Sequence, residues 1–600
     1  MSQSALAERV AGMGSILQSD GVAFRVWAPH ADRVSVIGDF NDWSADVHPL
    51  EAEEHGYWYA FVDGAKEGDE YKFHICNGDR EFDRIDPYAR AVTTSVGNAI
   101  VHNNEFDWGD DDFELPAHNE LVIYEMHVGT FARKDDDRPG VFDDAIQRFD
   151  YLKRLGVNVL QIMPVAEFAG DWSWGYNPAH IFAVEQAYGG PRALKEFIKA
   201  AHAAGFGVVM DVVYNHFGPS DLDLWQFDGW SENEGGGIYF YNDWRANTPW
   251  GATRPDYGRG EVRQFIHDNA MMWVDEYRCD GLRYDMTAYI RKVDGIGDSD
   301  IAEGWGLMQW INRDILAKYP NKLLIAEDLQ GEEYLTRATD DHGAGFATQW
   351  DAQFVHPVRK VVQTIDDPDR NMWELANALT HRYNQDAFQR VVYSESHDEV
   401  ANGKSRVPQE INPDNPDSGW SQQRSVLAAA LALTAPGIPM LFQGQEFVED
   451  GWFDDGDPLD WQRAEQFAGI TRLYSDLIRL RLNRDDNSRG LTGQYINVHH
   501  VNDGDKVIAF HRWCESGEGD DVVVVVNMAD RPWDHYEIGF PHAGTWQLRL
   551  NSDWDGYSDD FADHPTPSVT AEPIGRDGYP ASASLSFGAY SILVFSQDKS

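Results

Sequence analysis

The chain is poor in positive charge. Lys and Arg number 49 against 100 Asp and Glu, so the formal charge is −51 over 600 residues. A field of that sign repels nucleic acid and anionic membrane surfaces, and excludes both as partners. It also works against the compact state unless salt screens it. The acids are scattered in short runs, Asp110-Asp111-Asp112, Asp135-Asp136-Asp137 and Asp366-Asp367, not gathered in a tail. That distribution reads as a solvated acidic surface of a salt-adapted (halophilic) protein. Cysteine is scarce too. Cys76, Cys279 and Cys514 lie far apart without metal-type spacing. An odd, sparse set excludes a disulfide framework and fits a reducing cytoplasm. No basic-then-apolar leader is visible, and no apolar window approaches about 18 residues, so neither secretion nor a membrane span is expected.

What is present is a large apolar and aromatic content. Forty-two per cent of residues are hydrophobic and 13% aromatic, enough for packed cores, and the length calls for roughly two to four domains. The 22 Trp and 25 Tyr suit stacking on the apolar faces of sugars, although large enzymes often carry many aromatics.

Residues 1–20 hold a short helix pattern. Strand-like alternation then runs through Phe24–Pro29, Val34–Phe40, Tyr57–Val62 and Tyr71–Ile75, with Asn41-Asp42-Trp43 as a turn. Such spacing predicts a small β-sandwich over 1–110. Trp27 and Trp43 either touch a ligand or pack this module's own core or interface. From 111 to 494 the pattern alternates strand and helix, beginning near Leu121–Phe131 and closing with Pro436–Phe447; this is the signature of a parallel α/β domain. Residues 216–260 form a long Trp- and Gly-rich excursion, expected to wall a cleft. From 495 to 600 strands return as an antiparallel β-domain.

The chemistry concentrates in Cys279–Thr287 (CDGLRYDMT). In a strand, residues two apart share a face, so Arg283 and Asp285 point the same way. An Arg beside an Asp keeps the carboxylate ionised, as a nucleophile needs and as a structural ion pair also shows. Three further apolar strands end in acids: Gly207–His216 with Asp211, Leu323–Asp328 with Glu327, and Val391–Glu399 with Asp398. Acids at the C-terminal ends of successive strands, with room for helices between, describe the catalytic face of a (β/α)8 TIM barrel. The expected fold class is therefore α/β, a barrel flanked by an N-terminal β-sandwich and a C-terminal antiparallel β-domain.

The stretches DVVYNH, GLRYD, AED and SHDEV resemble the signature motifs of the α-amylase superfamily of retaining glycoside hydrolases and transglycosylases. The likeness covers nearly the whole chain. FRVWAPHADRVSVIGDFNDW is similar to the glycogen-binding-like N-terminal module of 1,4-α-glucan (glycogen) branching enzymes and of maltooligosyltrehalose trehalohydrolases. The former are the nearer likeness. The resemblance implies Asp285 as nucleophile, Glu327 as general acid/base and Asp398 as the third acid gripping sugar hydroxyls. It implies Tyr176 of the WGY run as a stacking platform, His216 and His397 as hydroxyl binders, and Asp211 as the group that orients Arg283. Glu327, with no cationic partner in its own strand, is expected to stay protonated near neutral pH. Glu399 either belongs to the branching-enzyme pattern or is a solvated loop acid.

The implied partner is an α-1,4-glucan or glycogen-like polysaccharide, handled by a cytoplasmic enzyme without cofactor. Asn215 matches a calcium-binding position of many α-amylases, but branching enzymes generally lack that site, so metal is not expected. The motifs leave the acceptor open. SHDEV and the run IGFP…NSD lean toward branching, whereas AEDLQG departs from the Glu-Glu-Ser continuation of many branching enzymes, Tyr284 is unusual between Arg and Asp, and GFATQWD resembles the trehalohydrolases; the alternative is a hydrolase, α-amylase-like or acting on maltooligosyl trehalose. A non-catalytic glucan-binding protein is disfavoured by the presence of all three acids. Oligomeric state is open.

Overall fold

The computed structural model describes residues 9–135 and 137–599. The alternating N-terminal stretches pair into two sheets. One contains Gly14–Leu17, Gly21–Trp27, Tyr57–Asp63 and Glu51–Ala52; the other contains Arg33–Gly38, Glu70–Asn77, Ala99–Ile100 and Ala91–Val92, with Arg80–Arg84 folded back on Glu70–Asn77. Their facing side chains, Val22, Phe24, Val26, Val34, Val36, Phe73 and Ile75, are buried and close the sandwich. The helix pattern read over 1–20 is corrected in part. Gly14–Leu17 is an edge strand drawn into register with Val22–Arg25, and residues 1–8 lie outside the described residues.

Eight parallel strands close a barrel: β1 (Ile123–Met126), β2 (Val159–Ile162), β3 (Gly207–Val212), β4 (Gly281–Tyr284), β5 (Leu323–Ala326), β6 (Thr348–Trp350), β7 (Arg390–Val392) and β8 (Ile438–Phe442). Two of the intervening helices show why they end where they do. Phe149–Leu155 stops at Gly156 (φ 103°) and Gly190–Ala204 at Gly205 (φ 93°), each glycine supplying the left-handed conformation that caps the last carbonyls.

The barrel interior is built in layers. Ile123, Val159, Val209, Ile325, Val391, Ile438 and Met440 fill the lower part as one buried apolar cluster. Two residues further along the same inward face, the side chains become polar: Glu125 follows Ile123, Gln161 follows Val159, Asp211 follows Val209 and Glu327 follows Ile325. The outward residues Tyr124, Leu160, Val208, Met210, Leu282, Leu324, Val392 and Leu441 belong to the larger core that holds the surrounding helices. One strand therefore serves both layers, and the step from apolar to charged sets the floor of the site.

The excursion after β3 meets its expected role in part. Its stretch from 226 to 239 docks the N-terminal module, while His216 and Trp250 line the barrel cavity. His30 stacks on Trp230 at 4.5 Å, Trp27 meets Tyr239 edge-on at 5.6 Å, and Asp228 accepts from the His30 backbone at 2.9 Å. Arg84 donates to the carbonyls of Phe227 and Gln226, and Asn77 to that of Asp228. Trp27, 6% exposed, is thus an interface residue, while Trp43 stays at the surface, 36% exposed. Aromatic content alone could not tell a docking loop from a cleft wall.

The C-terminal domain packs a sheet of Tyr495–Asn502, Val507–Trp513, Val522–Asn527, Ser591–Ser596, Gly544–Asn551 and Val569–Ala571 against the pair Trp533–Phe540 and Ala581–Phe587. The valine run Val522–Val526 is buried along its length because that strand lies centrally and is covered on both faces. Among the described residues no helix is long and apolar enough to cross a membrane.

Candidate active site

The C-terminal ends of the strands converge on one guanidinium. Asp211 of β3 and Arg283 of β4 are direct neighbours in the parallel register, and Arg283 Nη1 donates to both Asp211 oxygens at 2.8 and 2.6 Å. The same nitrogen reaches Asp285 Oδ1 at 3.1 Å. Nη2 lies 2.6 Å from Glu327 Oε2, an ion contact without the alignment of a hydrogen bond. Arg283 itself is fully buried, with Trp350 of β6 beneath its plane at 4.4 Å. One cation is thus shared by three acids in a place water does not reach.

This corrects the expectation that Glu327 has no cationic partner. The partner comes from the adjacent strand, where sequence order does not show it. Even so, the Glu327 carboxyl is pushed up to about 8, because burial outweighs the attraction of Arg283 and the nearby Asp285 and Asp398 charges add to the rise. Asp211 is pushed up to about 7, first by burial, against the pull of Arg283. Glu327 Oε2 also accepts from the backbone N–H of Met286 at 2.9 Å. Met286, immediately after Asp285, makes that contact from the left-handed region, φ 36°.

Asp285, Glu327, Asp398, His397, His216 and Tyr176 line a single cavity of about 500 Å³, together with Trp250. Asp211 and Arg283 form its floor through Tyr176, whose hydroxyl donates to Asp211 Oδ2 at 2.7 Å and accepts from Arg283 at 3.3 Å. All eight residues singled out in the sequence are therefore brought together. Asp398 accepts from Asn402 Nδ2 at 2.7 Å. His397 stacks on Tyr176 at 4.9 Å.

Several residues of the site escaped the sequence reading. Asn215, considered only as a calcium position, donates its amide to the Asp285 carbonyl at 2.8 Å and to Oδ2 at 2.7 Å; its own Oδ1 meets His216 Nδ1. Glu125 takes the His397 backbone N–H at 2.9 Å and Nδ1 at 2.8 Å. Although burial disfavours the imidazolium, Glu125 raises His397 above its ordinary range. A carboxylate inside the apolar run LVIYEM was a legible signal for Glu125. Trp250, stacked on His216 at 4.6 Å, lines the cavity, as expected of the excursion that carries it. Glu399 is no solvated acid: it is buried, close to His356, Arg359 and Lys404, and is held down to about 2 despite burial.

Comparison with known proteins bears on the domains and the family. Residues 12–89 match the profile of carbohydrate-binding module 48 (isoamylase N-terminal domain), residues 125–224 that of the alpha amylase catalytic domain, and residues 495–598 that of the alpha amylase C-terminal all-beta domain. The 1,4-alpha-glucan branching enzyme GlgB of Corynebacterium jeikeium is 31% identical, across 97% of this chain and 83% of its own. That of Dechloromonas aromatica is 32% identical, across 90% of each. The fold matches pullulanase type I from Bacillus subtilis, with a TM-score of 0.77, 21% identity and coverage of 98% of this chain and 86% of that one. Pullulanase from Paenibacillus barengoltzii matches with a TM-score of 0.75, 19% identity and coverage of 98% and 96%. The chain belongs to the α-amylase superfamily of carbohydrate-active enzymes and, within it, to the 1,4-α-glucan branching enzyme family.

Proposed function

We propose that this enzyme cleaves an α-1,4 bond of a glucan and transfers the released segment to a sugar 6-hydroxyl, with retention at the anomeric carbon. The observation that carries the reading is the shared Arg283. It touches both Asp285 and Glu327 in one cavity, as a retaining pair must stand to reach one sugar ring. Asp285, held by Arg283 and by the Asn215 amide, attacks the anomeric carbon. Glu327, protonated up to about pH 8, gives its proton to the leaving oxygen. It then takes a proton from the incoming hydroxyl as that hydroxyl displaces Asp285. Asp398 and His397, the latter aimed by Glu125, bind ring hydroxyls and tighten as the sugar distorts.

The choice between a hydroxyl and water as acceptor rests on whole-chain likeness to branching enzymes and on the N-terminal module. The working compartment we assign is the cytoplasm, in line with three free thiols. Incubation with amylose tests the reading. Branching predicts falling iodine staining, new α-1,6 linkages and no new reducing ends. New reducing ends, or trehalose released from maltooligosyl trehalose, would replace it with a hydrolase. Binding without turnover would reduce the barrel to a glucan-binding scaffold.

A further inference from the structure

A second cluster of ligating side chains lies on the N-terminal module, away from the barrel cavity. The strand Glu70–Asn77 and its hairpin partner Arg80–Arg84 pair His74 with Asp83 and Cys76 with Glu81. All four side chains share one face, because they alternate along both strands. His74, Cys76 and Glu81 each offer an atom within 4.8 Å of the other two. His74 Nε2 lies 3.8 Å from Glu81 Oε2, and Cys76 Sγ lies 3.9 Å from Glu81 Oε1. Ligand atoms around one tetrahedral zinc are separated by about 3.3–3.8 Å, given bond lengths of about 2.0–2.3 Å. Closure needs only small side-chain movement.

The fourth residue makes the arrangement more than a chance cluster. Asp83 Oδ1 lies 2.8 Å from His74 Nδ1. A carboxylate on that nitrogen fixes the proton there and leaves the Nε2 lone pair facing Cys76 and Glu81, the orientation that metal-bound histidines need. Arg33 Nη2 lies 3.6 Å from the sulfur. Its head is about half exposed and can swing to water when an ion takes its place. An imidazole, a thiol and a carboxylate, with a second carboxylate behind the imidazole, form a donor set that suits such an ion.

We propose that His74, Cys76 and Glu81 bind a divalent transition metal of the zinc type, with Asp83 orienting His74 and water completing the shell. The opposite face of the same hairpin carries Arg80, Phe82 and Arg84, which grip the barrel's excursion at Phe227–Gly229. A metal clip across the hairpin therefore stiffens the strand pair on which the module docks.

Cobalt(II) added to the reduced full-length enzyme tests this directly. A thiolate-to-cobalt charge-transfer band should grow to one equivalent and be displaced by zinc. It should be absent in Cys76→Ser and retained in Cys514→Ser. Asp83→Asn should weaken binding by about 10- to 100-fold. Zinc should raise the melting temperature of the parent enzyme but not of Cys76→Ser. No band, or a band that survives Cys76→Ser, would overturn the proposal: the first would leave at most adsorption to surface acids, and the second would place the ion on another thiol. Branching activity on amylose should be the same in both cysteine variants, so failure here is distinguishable from failure of the catalytic reading.

Discussion

The two ends of the barrel bury charge in opposite ways. At the C-terminal ends, Asp211, Asp285 and Glu327 share Arg283, and two of the acids rise to about 7 and about 8. At the N-terminal ends three buried arginines bond mainly to neutral oxygen, while the buried Asp280 just before β4 is held by His202 and Lys322. Arg512 donates to the carbonyls of Tyr495, Leu491, Gly493 and Thr434. Arg481 donates to those of Asn119 and Gly437. Arg390 donates to Pro436, Ala378 and Leu379, with Asp351 its one acid. Burial pulls Arg481 down to about 10 and lowers Arg512 well below its ordinary range, where neighbouring arginines add to the effect. Both ends are costly to desolvate. The lower end, closed by backbone carbonyls, ties loops and the C-terminal domain to the barrel. The upper end is under-neutralised, and burial, with the neighbouring acids adding to it, raises Glu327 into the range where it keeps a proton.

Substitutions at the two ends should separate rate from stability. Asp285→Ala should lower kcat on the order of ten-thousand-fold or more with the fold retained. Arg512→Met should leave kcat per folded molecule unchanged and cost about 2–5 kcal/mol in denaturant unfolding, since several buried carbonyls lose their donor. Near-normal turnover in the first variant, or a dead but stable second one, would erase the contrast.

The pH profile sharpens the contrast. Because Glu327 must carry a proton to act as acid, kcat/KM should fall about tenfold per pH unit above about 8. A basic limb displaced far from 8 would remove Glu327 from the acid role.

Salt separates the buried cluster from the surface. The excess of acids predicts a melting temperature that climbs by several degrees in molar KCl, where the screening length is about 3 Å. The basic limb should stay where it is, because the cluster is buried. No rise in melting temperature would remove the salt-adaptation reading.

The smallest effect is a gain in stability. In the unfolded chain Glu327 loses its proton near 4.5, but in the folded protein only near 8. The folded state binds the extra proton between those values, so stability falls as pH rises through that window. Glu327→Gln abolishes the loss. It should melt about a degree or two above the parent at pH 8 and level with it at pH 4. Equal melting at both pH values would mean that the buried charge is relieved some other way.

Much of this was legible before folding. Strand periodicity and terminal acids gave the barrel and its reactive face, because a strand's two-residue repeat makes Arg283 and Asp285 share a side whatever surrounds them. The FRVW and VVVVV runs marked the flanking β-domains for the same reason. Neighbours across strands were not legible. The contact of Arg283 with Glu327, the Asn215 amide on Asp285 and the Glu125 carboxylate on His397 join residues 44 to 272 positions apart. The hairpin His74–Asp83 shows the limit at short range. Its cysteine lacked any ligand spacing in one dimension and gained one only when pairing set Glu81 opposite.

The sequence by itself determined which faces are apolar, where acids end the strands and how negative the surface is, since these follow from local periodicity and composition. Only the tertiary structure decided how many acids one guanidinium must serve, and which loop became an interface. Both depend on barrel closure and on the exclusion of water, which no stretch of chain possesses alone.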